Sequence, residues 1–392
     1  MLPSAVIAVT ALYVGALFWV AHWTEKQGQG RSGRAWIFGL SLAVFCTSWT
    51  YYGAVGTAAT GGWDYLPIYL GPALVFAFGG GFLKRLLEVG KRHHVTSISD
   101  FISSRYGKSQ RLGANITLIA VLGALPYIAL QLKSIASTYA VLTGGLESAS
   151  RQNDLVLVIA IILAIFAMAF GTRHPDVTRP NAGMVRAIVV ESAFKLAVLL
   201  LIGALSLWLL FAGGAANIDA VAVANALPDQ GVFSTEQLDL RFVSLTLLSM
   251  AAIVCLPRQF HVLVVEATDP KHLVGARWVF VGYMVLTAAV VIPITFAGLH
   301  NLPTGVAPDL FVLMLPMEAG QTTLAILTFL GGFAAATGMV IVSSVALSVM
   351  VTNDLLFPFF LKGLDAKTEG ETDLARKQRS LRRFTILALL GF

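Results

Sequence analysis

Charge is scarce in this chain: Asp, Glu, Lys and Arg make up 12% of its 392 residues, about half the share usual in soluble domains. That excludes an ordinary water-soluble fold. Cysteine is scarcer still, with only Cys46 and Cys255. Both lie inside apolar runs without CxxC or Cys/His spacing, which excludes a disulfide framework and a thiolate metal site and reads them as small buried hydrophobes. The seven histidines include no HExxH motif and no i, i+4 pair, so no metal ligand set is assigned. No strand precedes the "FGGGF" near Gly79, which excludes a phosphate loop, and no nucleophile, base and orienter stand together, so no catalytic residue is assigned.

What is abundant is apolar. Hydrophobic residues reach 57% and the mean hydropathy is +0.78. Runs long enough for the roughly 20 helical residues that cross a bilayer recur along the whole length. They lack alternating polar positions, which excludes an outer-membrane barrel. The chain therefore reads as an all-α, polytopic membrane protein, with spans at 5–22, 36–58, 65–89, 113–143, 154–171, 185–212, 242–267, 274–298 and 322–358. A tenth begins near Phe384; "FTILALLGF" is under half the length of a span, so the sequence is expected to stop inside a helix and to be part of something larger.

The net charge of +6 points to anionic lipid and not to nucleic acid because of where it falls. Apart from Lys133, Arg151, Lys195 and Arg241, every Lys and Arg follows an odd-numbered span. The opposite side carries an acidic loop with Asp219, Asp229, Glu236 and Asp239. By the positive-inside rule the amino terminus is outside the cell membrane. "MLPSAVIAVTALYVGALFWVAHW" has no basic residues before its apolar run and reads as an uncleaved first span. Asn115 of "NIT" begins a span on the inner side, which excludes glycosylation, and His93 and His94 sit in a basic loop facing headgroups.

Two spans interrupt themselves. Span two, "WIFGLSLAVFCTSWTYYGAVGTAATGG", gathers hydroxyls at mid-depth ahead of Gly53 and Gly56; span seven breaks near "MAAIVCLP". Hydroxyl side chains can satisfy the backbone groups that such breaks free. The two lie five spans apart, so they occupy corresponding positions of two five-span halves, which must be inverted relative to each other. Paired interruptions of this kind point to a transporter site at the bilayer midplane. The domains are then 1–34, an accessory first span and cytoplasmic loop; 35–212, the first five-helix repeat; and 213–392, the second, incomplete at its carboxyl end.

The segments "SWTYYGAVGTAATGG", "FISSRYGKSQ", "LPYIALQLKS", "GTRHPDVTRPNAGMVRAIVVESAFKL" and "LPRQFHVLVVEATDPKHLVGARWVF" resemble the sodium/solute symporter family, which has the leucine-transporter fold. More narrowly they resemble the transporter-like amino-terminal domain of CbrA-type sensor histidine kinases. In symporters of that family the substrate lies between spans two and seven and against span four. The resemblance thus implies Thr47, Ser48, Trp49 and Tyr52, then Tyr127 and Gln131, then Ser249 and the backbone around Ala252 as substrate contacts. Half-helix ends suit the charges of an amino acid, and the resemblance favours histidine.

The same likeness implies a coupling-ion site at the carbonyls of Ala43, Cys46 and Ala335, with Thr337 and Gly338 beside them. Its two hydroxyl positions fall on Gly338 and Met339, which supply no hard side-chain oxygen, and an acidic position falls on Phe45; protons are the alternative to sodium. Charges inside the membrane are costly and by default functional. Glu191 and Lys195, spaced i, i+4, share a helix face as a structural pair or a proton relay. Lys133 faces away from Gln131 and snorkels to an interface. In "CLPRQFH", Pro257 fits the first turn of a half-helix, and Arg258 reads as a cytoplasmic gate or anchor.

The function expected is sensory input: a bundle that binds, with or without transport, an amino acid and reports to a histidine kinase, with a response regulator as partner through modules outside this chain. The alternative is an ordinary Na⁺- or H⁺-coupled symporter for an amino acid or other small solute. No cofactor besides the coupling ion and no enzyme activity are expected; an enzyme using Glu191, Lys195 and His261 has little support in their spacing.

Overall fold

The structure, a computed structural model, describes residues 3–27, 35–144, 149–172, 180–211, 233, 237–358 and 371–391. These residues form helices and turns, with no strand among them. In chain order the helices are α1 (Pro3–Gln27), α2 (Ala35–Leu42), α3 (Ala54–Gly61), α4 (Pro67–Phe78), α5 (Gly80–Arg92), α6 (Ile98–Arg105), α7 (Gln110–Thr143), α8 (Ala149–Phe166), α9 (Ala182–Phe211), α10 (Leu240–Cys255), α11 (Pro257–Phe260), α12 (Leu273–Asn301), α13 (Phe311–Glu318), α14 (Thr322–Met350) and α15 (Glu371–Gly391). Among the described residues five helices are long and apolar enough to cross a membrane, and seven spans result if each bent pair counts as one.

Span two is α2 and α3 with the break between them, and span seven is α10 and α11, bent by 51°. The expected single span 65–89 is instead α4 and α5, which meet at Gly79 with a 79° bend. The reason lies in α5, whose charges alternate with Leu83, Leu86 and Leu87 at helical spacing, so one face is buried and the other polar. Its carboxyl end is fastened by Lys91, which donates to Val265 O at 3.0 Å. The tenth helix starts at Glu371 and not near Phe384, because the run of Arg, Lys and Gln ahead of the apolar part is made of good helix formers. Asp219, Asp229 and Glu236, and the loop cations Arg31, Arg34, Arg173, Arg179, Lys362 and Lys367, lie outside the described residues.

Helix α14 forms the axis of the bundle, buried from Thr328 to Met350 and packed most extensively on α7 and α9. Its Gly, Ala and Ser content permits that, since small residues let membrane helices approach closely. Gly331 and Gly332 accept the rings of Tyr51 and Tyr52 from span two. Helix α1 lies outside this core against α9, where Glu25 accepts from Gly183 N at 2.8 Å and so caps a helix amino terminus with negative charge.

Backbone meets backbone where α4 crosses α10. A Cβ on Gly71 would lie 2.6 Å from Ser249 Cβ, 2.7 Å from Thr246 O and 2.8 Å from Met250 N. Neither helix backbone can yield cheaply, so Gly71→Val is expected to destabilise by about 1–3 kcal/mol. A thermal melt in detergent by size-exclusion chromatography checks this; an unchanged midpoint would refute the close crossing.

Candidate functional site

The site grows from the interruption of span two. After Phe45 the helix loses its pattern, and Cys46 takes an extended conformation (φ −76°, ψ 105°). A break inside a membrane bundle leaves amides and carbonyls that must find partners. Here several of them have identified partners. Cys46 N donates to Ala43 O at 3.0 Å, Thr50 Oγ1 to Thr47 O at 2.8 Å, and Tyr69 Oη to Thr50 O at 2.7 Å. The freed amide of Ser48 donates to Gln131 Oε1 at 3.0 Å, and Ser48 Oγ donates to the same oxygen at 2.8 Å. One turn earlier on α7, Tyr127 Oη shares a 2.7 Å hydrogen bond with Thr47 Oγ1.

The break in span seven is shorter. Leu256 alone is extended (φ −64°, ψ 129°), and Pro257 opens α11, its missing N–H costing nothing in a first turn. Ser249 lies a full turn or more before that break, buried against Gly71 with its hydroxyl unpartnered.

Between the two breaks and the middle of α7 lies a cavity of about 720 Å³, within the range of small-molecule sites. Ile98 and Ile102 of α6, together with Ile116, Ala120 and Ala124 of α7, make its walls largely apolar. Trp49, Thr50, Tyr127, Ser343 and Arg258 supply its polar and aromatic surface, and Ala252 adds a small apolar wall. The Arg258 guanidinium carbon stands 5.1 Å over the Tyr127 ring. The side chain is 7% exposed, and its Nε is buried without a hydrogen-bond partner.

Trp49, Tyr127 and Ala252 therefore line the cavity. Thr47, Ser48 and Gln131 are not in its lining and sit at the break in span two, Thr47 bonded to Tyr127 and Ser48 to Gln131. Tyr52 turns away, its hydroxyl donating to Thr328 O at 3.3 Å, and Ser249 faces α4. Arg258 is part of the cavity wall, a position that the gate reading did not anticipate. Cys46 is buried as expected, whereas Cys255 is exposed in the same wall. Ile116, Ala120 and Ala124 were legible as the face of α7 that continues from Tyr127 and Gln131 at helical spacing; Ser343 and Leu347 carried no signal.

The expected ion residues do converge, around a different occupant. Lys195 Nζ donates to Ala43 O at 2.9 Å and to Cys46 O at 2.6 Å. Ala335 borders the small void beside it. Glu191 does not pair with Lys195: its carboxylate accepts from Thr337 Oγ1 at 2.8 Å and rests against Gly338, where a Cβ would lie 2.7 Å from Oε2. Lys133 is exposed on the outer surface of α7. On the side of the bundle away from α5 and α6, Asp309 closes over Gly56, and burial pushes its carboxyl above the ordinary aspartate range.

A second buried network follows three residues after Arg258. His261 Nε2 lies 3.1 Å from Glu266 Oε1, and Glu266 also accepts from Asn181 N at 2.6 Å and Asn181 Nδ2 at 2.9 Å. His261 thereby joins span seven, through Glu266, to the start of α9.

Comparison with known proteins agrees with this architecture. No family model matches the chain. A stretch of 188 residues, 45% of this chain, is 28% identical to the uncharacterized symporter YodF of Bacillus subtilis (strain 168). The chain spans about a third of that relative's length, 36%. A solved Na⁺-coupled sialic acid symporter, in its substrate-bound outward-open state, superposes with a TM-score of 0.72 over 98% of this chain and 80% of that one, at 15% identity. The fold is thus the leucine-transporter-like fold that the residue resemblance implies.

Proposed function

We propose that the chain is the membrane bundle of an ion-coupled symporter for a small solute bearing a carboxylate, with an amino acid as the foremost class. The observation that carries this reading is Arg258. A guanidinium that is almost wholly buried, makes no ion pair with a described carboxylate and stands in the wall of an otherwise apolar cavity is a costly feature without an anionic partner. Tyr127 and Trp49 offer aromatic faces to the rest of such a solute. The two symporters to which the chain is similar support transport as the activity.

In this reading Thr47, Ser48 and Gln131 are positioning residues that hold the break, and Trp49, Tyr127, Ala252 and Arg258 contact the solute. The domains are a first five-span repeat, 35–212, and a second, inverted repeat, 213–392, incomplete at its carboxyl end, behind an accessory span. The distribution of Lys and Arg supports an amino terminus outside and a cavity that opens to the cytoplasm. The coupling ion is Na⁺ or H⁺. The finer reading, sensory input to a histidine kinase with histidine as ligand, rests on the residue likeness to CbrA-type proteins; similarity to symporters favours transport.

Uptake of radiolabelled amino acids and other small carboxylates into proteoliposomes under imposed Na⁺ or pH gradients tests the proposal. Arg258→Gln is expected to weaken the apparent affinity about tenfold or more, the effect of losing one charged hydrogen bond of about 1.5–3 kcal/mol. Uptake of a neutral sugar alone, or an affinity unchanged by Arg258→Gln, would sink it.

A further inference from the structure

Two carbonyls aimed at one buried point from the end of a broken helix make a seat for a cation. In this chain the seat is taken by a side chain. Lys195 is 4% exposed, and its ammonium lies within 2.9 Å of both Ala43 O and Cys46 O. Glu191, one turn earlier on α9, is engaged with Thr337, so no described carboxylate forms an ion pair with the ammonium, and the two carbonyls are its direct partners. The void beside it, bordered by Cys46, Thr47, Tyr283 and Ala335, measures about 10 Å³, at the lower limit for a single water. A second cation has no room there. Gly338 and Met339 provide no side-chain oxygen and the Thr337 hydroxyl is committed to Glu191, so a metal ion on the two carbonyls would also need space for water to complete the six or so oxygens a hard cation collects, space that the lysine side chain takes. Lys195 needs fewer ligands because its stem anchors it to α9.

We infer that Lys195 is a tethered cation, filling the seat that the break in span two builds for a monovalent metal ion and sparing the chain a sodium ion there. The consequence for transport rests on the symporter reading above; the occupancy of the seat is a property of the folded bundle and is tested separately. Removing the tether vacates the seat, so sodium becomes able to enter it.

The test compares the wild type, Lys195→Ala and Lys195→Met in detergent, with the thermal midpoint followed as NaCl replaces choline chloride at constant ionic strength. The wild type is expected to give a flat titration. Lys195→Ala is expected to melt lower in choline and to recover saturably with Na⁺. Lys195→Met, whose side chain still fills the space, is expected to melt low in both salts. A saturable Na⁺ response of the wild type equal to that of Lys195→Ala, or no Na⁺ response in Lys195→Ala, would overturn the inference. If neither variant can be purified, the wild-type titration decides: flat supports the tether, saturable refutes it. In proteoliposomes, uptake by the wild type should persist when Na⁺ is replaced by choline under a retained pH gradient, and uptake by Lys195→Ala should require Na⁺. Failure of all uptake would count against the symporter reading and leave the thermal titration to judge Lys195.

Discussion

Gln131→Leu is expected to lower the thermal midpoint by several degrees and to abolish solute uptake, while Gln131→Glu retains most of the stability. The Gln131 amide oxygen is the common acceptor for Ser48 N and Ser48 Oγ, at 3.0 and 2.8 Å, and it is buried along with both donors. Leucine matches its volume and leaves both donors empty, each at about 1–3 kcal/mol. The loss falls on the first amide of the half-helix that carries Trp49 and Thr50 into the cavity, so stability and uptake should fail together. Glutamate keeps an acceptor oxygen at the same reach. Differential scanning fluorimetry with uptake on the same preparations measures both effects. If Gln131→Leu melted as the wild type does, the amide of Ser48 would not depend on this acceptor, and the account of the break would fail.

The break in span two was readable in the sequence, but for a different reason from the one that operates. Gly53 and Gly56 suggested a loosened helix, yet both lie beyond it, Gly53 at the end of a π-helical turn against the Trp49 indole and Gly56 inside α3 under Asp309. The interruption at Cys46 persists because Gln131, Lys195, Tyr69 and Thr50 capture the groups it frees. Tyr127 and Gln131 were legible because one face of α7 repeats at helical spacing. The partner of Lys195 was not. Spacing within α9 indicates only that Glu191 shares its face, while the carbonyls that hold the ammonium lie 152 and 149 residues away in the chain. The bend at Gly79 was hidden for a related reason: hydropathy continues across α4 and α5 although the charge pattern changes, and a window average does not register a turn of face.

Asp354→Ala is expected to release the end of the bundle at which α6 closes the cavity. Asp354 follows α14, and its Oδ2 accepts from Ser99 Oγ of α6 and from Thr117 Oγ1 of α7, the latter at 2.6 Å. Ser99 shares a 2.8 Å hydrogen bond with Ser97 Oγ, the side chain that caps α6 by accepting from Asp100 N at 3.1 Å. Beside it, Asn353 Oδ1 accepts from Gln378 Nε2 at 3.0 Å and ties in α15. One carboxylate thus joins α6 and α7 to the segment that follows α14, and each charge-assisted bond contributes about 1.5–3 kcal/mol. Alanine removes both bonds and leaves two hydroxyls without their acceptor; asparagine keeps one oxygen and should fall between. Since Ile98 and Ile102 of α6 wall the cavity opposite Cys255, loosening α6 should also admit reagents. The expected result is a lower melting midpoint and a several-fold faster reaction of Cys255 with a membrane-impermeant maleimide, measured in a Cys46→Ala background. Equal labelling rates and equal midpoints in Asp354→Ala and the wild type would mean that α6 is held by its apolar face alone, because the isoleucines that line the cavity would then suffice to keep it shut without the polar tie.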